Sequence, residues 1–135
     1  MSREFKFRVW DSSINEYLQA DQDNPYLYCK LGISYNLSDI MFFYARPKNN
    51  RWVVQQYTGL TDANDKEICE GDILKIDYNT FGNVIGQVIY EADHGGFIFQ
   101  WKQNEPNQNY INLNCDVAFE SVIVGNIFEN PELLK

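Results

Sequence analysis

The chain has 135 residues and a formal net charge of −8, and 44% of its residues are hydrophobic. This length fits one domain over residues 1–135, and such a domain can bury its core without disulfides or a metal. Because a phosphate backbone repels an acidic surface, duplex nucleic acid is disfavoured as a partner.

The first third of the chain is predicted to form short strands. Residues 4–10 alternate apolar and polar side chains, which predicts a half-buried strand. Asp11 and the two serines after it are turn formers, so residues 15–20 are predicted to return as the second arm of a hairpin. Residues 21–25 are polar and end in proline, which indicates an exposed loop.

Residues 26–45 are ambiguous. Alternation over residues 33–37 favours a strand, whereas Ser38 or Asp39 could cap a short helix. The longest apolar run, residues 40–45, is far too short to span a bilayer. We therefore favour strand here and expect no membrane partner.

The remaining chain predicts strands at intervals of about ten residues, separated by turns. The predicted strands are residues 51–57, 72–78, 84–90, 97–101, 110–113 and 117–128. The predicted connections are a loop over residues 46–50, a Gly82-Asn83 turn, a His94-Gly95-Gly96 turn and a polar loop over residues 102–109. Asn130 before Pro131 predicts a final helical turn. The expected fold is mainly all-β, a barrel-like or complex antiparallel sheet with one or two short helical turns.

The cysteines indicate the compartment. Cys29, Cys69 and Cys115 are odd in number and lack CxxC spacing, which is typical of a reducing cytosol. The first residues contain no apolar run of signal-peptide length. We expect a soluble protein of the bacterial cytoplasm.

Three segments carry a family resemblance: residues 7–11 (FRVWD), residues 56–76 (QYTGLTDANDKEICEGDILKI) and residues 124–134 (VGNIFENPELL). Together they resemble the YopX family of phage and prophage proteins. The resemblance implies an all-β, barrel-like fold and an origin in phage genomes, and it implies no activity. The family usually has Gly where Asp65 stands and Tyr where Cys69 stands, and Asp tolerates a left-handed turn better than most residues do.

The central segment, residues 56–76, has two interpretations. Gly59 and Gly71 stand beside predicted strands, where a turn with positive φ favours glycine. Glu70 and Asp72 are predicted to cap turns by accepting hydrogen bonds from backbone N–H groups. The alternative is a ligand or partner site in this segment.

Patterns typical of catalysis or metal binding are missing from the sequence. A calcium loop beginning at Asp62 would need Gly at position 67 and Glu at position 73, where the chain has Glu67 and Ile73. The one histidine, His94, falls in a predicted exposed turn, and Cys69 is interpreted as core rather than nucleophile. We therefore predict no catalytic residues, no metal and no cofactor, and leave the binding residues unassigned.

Several functions fit these observations. The leading hypothesis is a non-enzymatic phage accessory protein that binds another protein or a second copy of itself. The alternatives are a small carboxylate-dependent hydrolase or sugar-binding protein, an acidic mimic of DNA, and a binder of single-stranded nucleic acid. Trp10, Trp52 and Trp101 are expected in the core, although such residues could also form a platform for a sugar or a base.

Overall fold

The computed structural model describes residues 7–20, 26–28, 34–36, 51–78, 82–101 and 109–135. These residues form a mainly β structure with antiparallel sheets and short helical segments, which confirms the predicted fold class. The predicted loops at 21–25, 46–50 and 102–108, and the alternative helix at Ser38-Asp39, lie outside the described residues.

Eleven strands are described, together with one α-helix and two 3₁₀ turns. The strands are β1 (Phe7–Asp11), β2 (Glu16–Ala20), β3 (Tyr26–Tyr28), β4 (Ser34–Asn36), β5 (Trp52–Thr61), β6 (Glu67–Cys69), β7 (Asp72–Tyr78), β8 (Gly82–Glu91), β9 (Gly96–Trp101), β10 (Tyr110–Asn112) and β11 (Ser121–Asn126). Helix α1 is Cys115–Phe119, and the 3₁₀ turns are Ala92–His94 and Pro131–Leu134. Within the described part of the chain, no helix has the length and hydropathy needed to cross a membrane.

The chain divides into two compact units. Residues 5–56 form the smaller unit, and residues 57–135 form most of the larger one. Strand β5 contributes to both, because residues 52–56 pair with β1 while residues 57–61 pair with β6. The single domain over residues 1–135 stays a prediction.

The smaller unit is an antiparallel sheet with strand order β4-β3-β2-β1-β5. Its core contains Val9, Leu18 and Trp52. The prediction of a half-buried first strand was wrong in detail, because Val9, Trp10 and Asp11 are all buried while Phe7 is 50% exposed. The carboxyl end of β1 is thus buried on both faces, which a period of two alone does not predict.

The larger unit is an antiparallel sheet with strand order β10-β9-β8-β7-β11. One face, the core face, buries Leu74, Ile76, Val88 and Phe99. The core is completed by Ile68 of β6, by Leu113, and by Val117 and Ala118 of α1. The opposite side is called here the outer face.

The turn predicted at Gly82-Asn83 was wrong. Tyr78 pairs with Gly82 and Asp77 pairs with Asn83, so both residues already belong to β8. The ladder between β7 and β8 extends from Ile73 to Tyr78, the last residue of β7.

The continuous strand predicted over residues 117–128 was also wrong in its first part. Residues 117–119 belong to α1, and only Ser121–Asn126 is strand. Asn114 begins the helix, since its side-chain oxygen accepts a hydrogen bond of 3.0 Å from the Val117 N–H. An N-cap of this kind satisfies a donor that a helix leaves unpaired at its start.

The predicted C-terminal helical turn is confirmed as the 3₁₀ turn Pro131–Leu134, which contacts β8. Asn130, which precedes this turn, was expected to cap it, but its side chain makes no capping hydrogen bond to the turn. Instead, Asn130 Oδ1 accepts a hydrogen bond of 3.2 Å from the Asn126 N–H.

Candidate functional site

Asp62 organises the turn in the central segment. Its side chain is only 2% exposed. Oδ1 accepts hydrogen bonds from the backbone N–H groups of Asn64 and Lys66, each at 2.9 Å. Oδ2 accepts a third bond, of 3.0 Å, from the N–H of Ile123 in β11. A single carboxylate therefore closes a turn and attaches that turn to a strand far along the chain.

These bonds set the protonation of Asp62. Burial by itself raises the pKa of a carboxyl group because it disfavours the charged form. In Asp62 the N–H groups of Ile123, Lys66 and Asn64, together with the Lys66 charge, outweigh burial and hold the pKa below its ordinary value. The carboxylate is thus ionised and fully engaged with its own chain.

The positive φ expected at Gly59 and Gly71 is confirmed, but Gly59 lies inside β5 and not in a turn. Gly59 and Gly71 have φ values of 85° and 86°, and Asp65 also adopts positive φ, at 62°. Asp65 is therefore accommodated in the left-handed conformation, as predicted for a residue that stands where the family resemblance implies Gly. Its N–H donates to the Asp62 carbonyl at 3.0 Å.

The reversal between β6 and β7 uses Asp72 as predicted. Asp72 Oδ2 accepts a hydrogen bond of 2.7 Å from the Cys69 N–H, and both residues are buried. The N–H of Gly71 donates to the Val88 carbonyl at 2.8 Å, and its carbonyl accepts from the Ile127 N–H at 2.9 Å. The same capping role for Glu70 stays a prediction. These contacts favour the architectural interpretation of residues 56–76.

The first family segment holds a second engaged carboxylate, in the smaller unit. Asp11 is fully buried and faces Arg51, whose Nε and Nη2 atoms each lie 3.1 Å from a carboxylate oxygen. Ser13 adds a hydroxyl donor at 2.7 Å and a backbone donor at 3.0 Å. Burial raises the pKa of Asp11, but the bonds from Arg51 and Ser13 together hold it below its ordinary value.

Arg8, in the same segment, is also engaged within the smaller unit. Its Nε donates to Gln55 Oε1 at 2.9 Å, and the Tyr17 hydroxyl donates to the same oxygen at 2.8 Å. The guanidinium lies 4.5 Å from the centre of the Tyr17 ring, within cation–π range. Arg8 and Arg51 thus stabilise the smaller unit.

The remaining residues singled out by sequence are dispersed. His94 is exposed in the turn before β9, as predicted, and its ring lies 4.8 Å from that of Tyr110. Cys69, Trp10 and Trp52 are buried, as predicted. Trp101 is partly buried, and its ring centre lies 5.8 Å from that of the core residue Phe99. Across the described ranges, no group of three or more His, Cys, Asp or Glu side chains is placed to hold a metal ion.

A shallow groove of about 440 Å³ lies on the outer face of the larger unit. We call it the outer groove, and its lining residues are Lys75, Asp77, Asn83, Glu120, Val122 and Val124. Strands β7 and β8 supply Lys75, Asp77 and Asn83, while β11 and the residue before it supply Val122, Val124 and Glu120.

Strand register arranges this surface in two rows. In the first row, Lys75 of β7 pairs with Val122 of β11 on one side and with Ile85 of β8 on the other. We call these three residues the aliphatic row, in which two aliphatic side chains flank one ammonium group. Asp77 pairs with Asn83 in the next row. Glu120, the C-cap residue of α1, also lines the outer groove and is exposed.

Sequence reasoning missed the outer groove. The alternation in β7 places Lys75 and Asp77 on the face opposite Leu74 and Ile76, and this signal was visible. The contribution of Glu120 to the groove could not be predicted, because residues 117–128 were interpreted as one continuous strand.

Comparisons with known proteins agree with this architecture. Protein EF1440 from Enterococcus faecalis, known from its crystal structure, superposes with a TM-score of 0.59 at 23% identity, covering 99% of this chain and 100% of that chain. At this identity the likeness shows the fold alone. A search of curated proteins finds no significant match. The family model described as "YopX protein" matches residues 6–135, which confirms the resemblance carried by the three segments. The chain belongs to the YopX protein family.

Proposed function

We propose that this chain is a non-enzymatic accessory protein of a phage or prophage that works in the bacterial cytoplasm by binding another protein at the outer groove. The phage origin and the compartment rest on the family resemblance and on the cysteine pattern. The observation that carries the binding role is the exposure of Val124, at 38%, in the outer groove, and of Ile85, at 39%, beside it on β8.

The apolar side chains of the outer face lie on β-strands and not on a loop. Ile73 and Ile98 lie on this same face and are almost fully buried, whereas the aliphatic side chains of the outer groove stay accessible. Aliphatic side chains held in a row by strand pairing offer a preformed surface, and exposed apolar patches rimmed by polar groups are typical of protein-binding sites. A partner that covers this row gains about 25 cal/mol for each Å² of apolar surface removed from water.

The shape of the outer groove favours a macromolecular partner. Pockets for small molecules are usually deep enough to bury most of the ligand. This groove is open, and three of its lining side chains are charged, namely Lys75, Asp77 and Glu120. Such a surface fits an extended segment better than an enclosed ligand.

The state of the buried carboxylates supports the non-enzymatic part of the proposal. Asp11, Asp62 and Asp72 are buried, and each accepts hydrogen bonds from its own chain. A carboxylate that acts as nucleophile or base must present an oxygen to a substrate. In these three residues the oxygens are directed to structural donors.

Site-specific photo-crosslinking tests the proposal. A benzophenone amino acid placed at Val124, in the chain expressed in bacteria, should give one discrete adduct, and its mass distinguishes a second copy from another protein. The same probe at Tyr90, which is 51% exposed, is the matched control position. Val122→Lys should abolish the adduct from position 124, since it places a second ammonium beside Lys75. Equal adducts from positions 90 and 124, or an adduct that persists in V122K, would contradict the proposal.

A further inference from the structure

The outer groove has a charge pattern that specifies its partner. Glu120 and Asp77 both line the outer groove, both are exposed, and together they are called here the acidic row. Of the groove's lining residues only Lys75 is cationic, and it belongs to the neighbouring aliphatic row. The acidic row is therefore ready to accept an external cation.

We infer that the partner presents a basic, extended segment in which a Lys or Arg alternates with an aliphatic residue. This inference rests on the proposed function and names the chemistry of its partner. The cation lies over Asp77 and Glu120, and the aliphatic side chain packs on Val122. An arginine suits the first position well, because its guanidinium can bond two carboxylates while its stem packs on apolar surface.

The spacing of the two rows sets the spacing in the partner. Lys75 and Asp77 are two residues apart in β7, so the rows are separated by about 6.6 Å. An extended segment repeats its side-chain direction over the same interval. The basic and the aliphatic residue are thus expected at positions i and i+2, on one side of the segment.

Charge complementarity also decides between a second copy and a different protein. The chain carries a formal net charge of −8, so two copies repel each other at long range. A basic protein is attracted by the same field, and its approach is accelerated at low ionic strength. The occupant is therefore a different, basic protein.

Titration of the full-length ¹⁵N-labelled chain with short synthetic peptides tests the inference. In the first peptide Arg and Val alternate along one side with Ser between them; in the second and third, Glu or Gln replaces Arg. We expect the Arg peptide to shift the backbone amides of residues 75–77, 83–85 and 120–124, with the Glu peptide silent. Asp77→Asn with Glu120→Gln should weaken binding about tenfold.

A charge-matched control separates the groove from general attraction. Asp93→Asn with Glu132→Gln removes two exposed carboxylates outside the outer groove and changes the net charge equally. If this control pair weakens binding as much as the groove pair, or if no peptide shifts the groove, the inference is overturned.

The basic character of the partner and the docking surface itself are tested by different outcomes. Equal binding of the Gln and Arg peptides at the groove would overturn the basic character of the partner and leave the docking surface in place. Loss of the adduct from position 124 together with silent titrations would remove the proposed function as well.

Discussion

The carboxylate of Asp62 accepts a hydrogen bond from the backbone N–H of Ile123, 61 residues further along the chain. Ile123 lies in β11, an edge strand of the five-stranded sheet. The neighbouring Ala63 N–H donates to the Ser121 carbonyl at 2.8 Å. The turn of the central family segment therefore covers polar groups on the outer edge of β11, and an uncovered edge is a site of unwanted pairing between chains.

Asp62→Asn should lower the free energy of unfolding of the larger unit by about 2 kcal/mol. The amide keeps one oxygen for Asn64 and Lys66, but its NH₂ group then meets the Ile123 N–H, which loses its acceptor. Chemical denaturation measures the loss, and amide hydrogen exchange should accelerate at Ile123. Asp93→Asn, at an exposed position, is the control and should leave both unchanged. Unchanged protection of Ile123 in D62N would show that this bond contributes little.

Acid should destabilise both units through Asp62 and Asp11. The pKa of each is lowered in the folded state, so the stability each contributes is present above the unfolded value, about 3.9, and is lost as pH falls through the folded value. The denaturation midpoint should therefore be constant near neutral pH, and it should decrease once the pH is lower than about 4. The fall should be shallower in D62N and shallowest in the double variant with D11N. Identical acid slopes in all three proteins would refute this assignment.

Asp65→Gly should raise the free energy of unfolding by about 0.5 kcal/mol. Asp65 holds φ at 62°, where a side chain is strained by about 1 kcal/mol, and glycine removes that strain while giving the unfolded chain more freedom. The adjacent Asn64 does not have positive φ, so Asn64→Gly should lower stability instead. Urea denaturation compares the two variants, and a stabilising N64G would argue against the strain at Asp65.

Gly86→Ala should destabilise the larger unit by about 1–3 kcal/mol. A Cβ there would collide with the Gln100 carbonyl oxygen and lie 2.9 Å from Phe99 Cε2, so the core of β8 and β9 would have to shift. Gly96→Ala is the matched control, since nothing lies within 4 Å of its added Cβ. Thermal unfolding of the two variants is the measurement, and equal melting temperatures would contradict the expected clash.

Local residue patterns predicted much of the central segment. Strand β7, Asp72–Tyr78, has the predicted bounds. Such elements can be predicted because alternation and positive-φ glycines each involve only a few neighbouring residues. Helix α1 was missed because its only local signal is the Asn114 cap, and the five residues that follow are too few to show a helical period.

The sequence by itself determined the β architecture, the positive φ of Gly59 and Gly71, and the family, because each depends on short patterns of side-chain type. Only the tertiary structure decided that Asp62 bonds Ile123, that Arg51 faces Asp11 and that Glu120 and Asp77 line the same groove. Alternation states which face of a strand a residue occupies, but not which strand pairs with it. Pairing between distant segments depends on the packing of the whole sheet, so the outer groove emerges only from that packing.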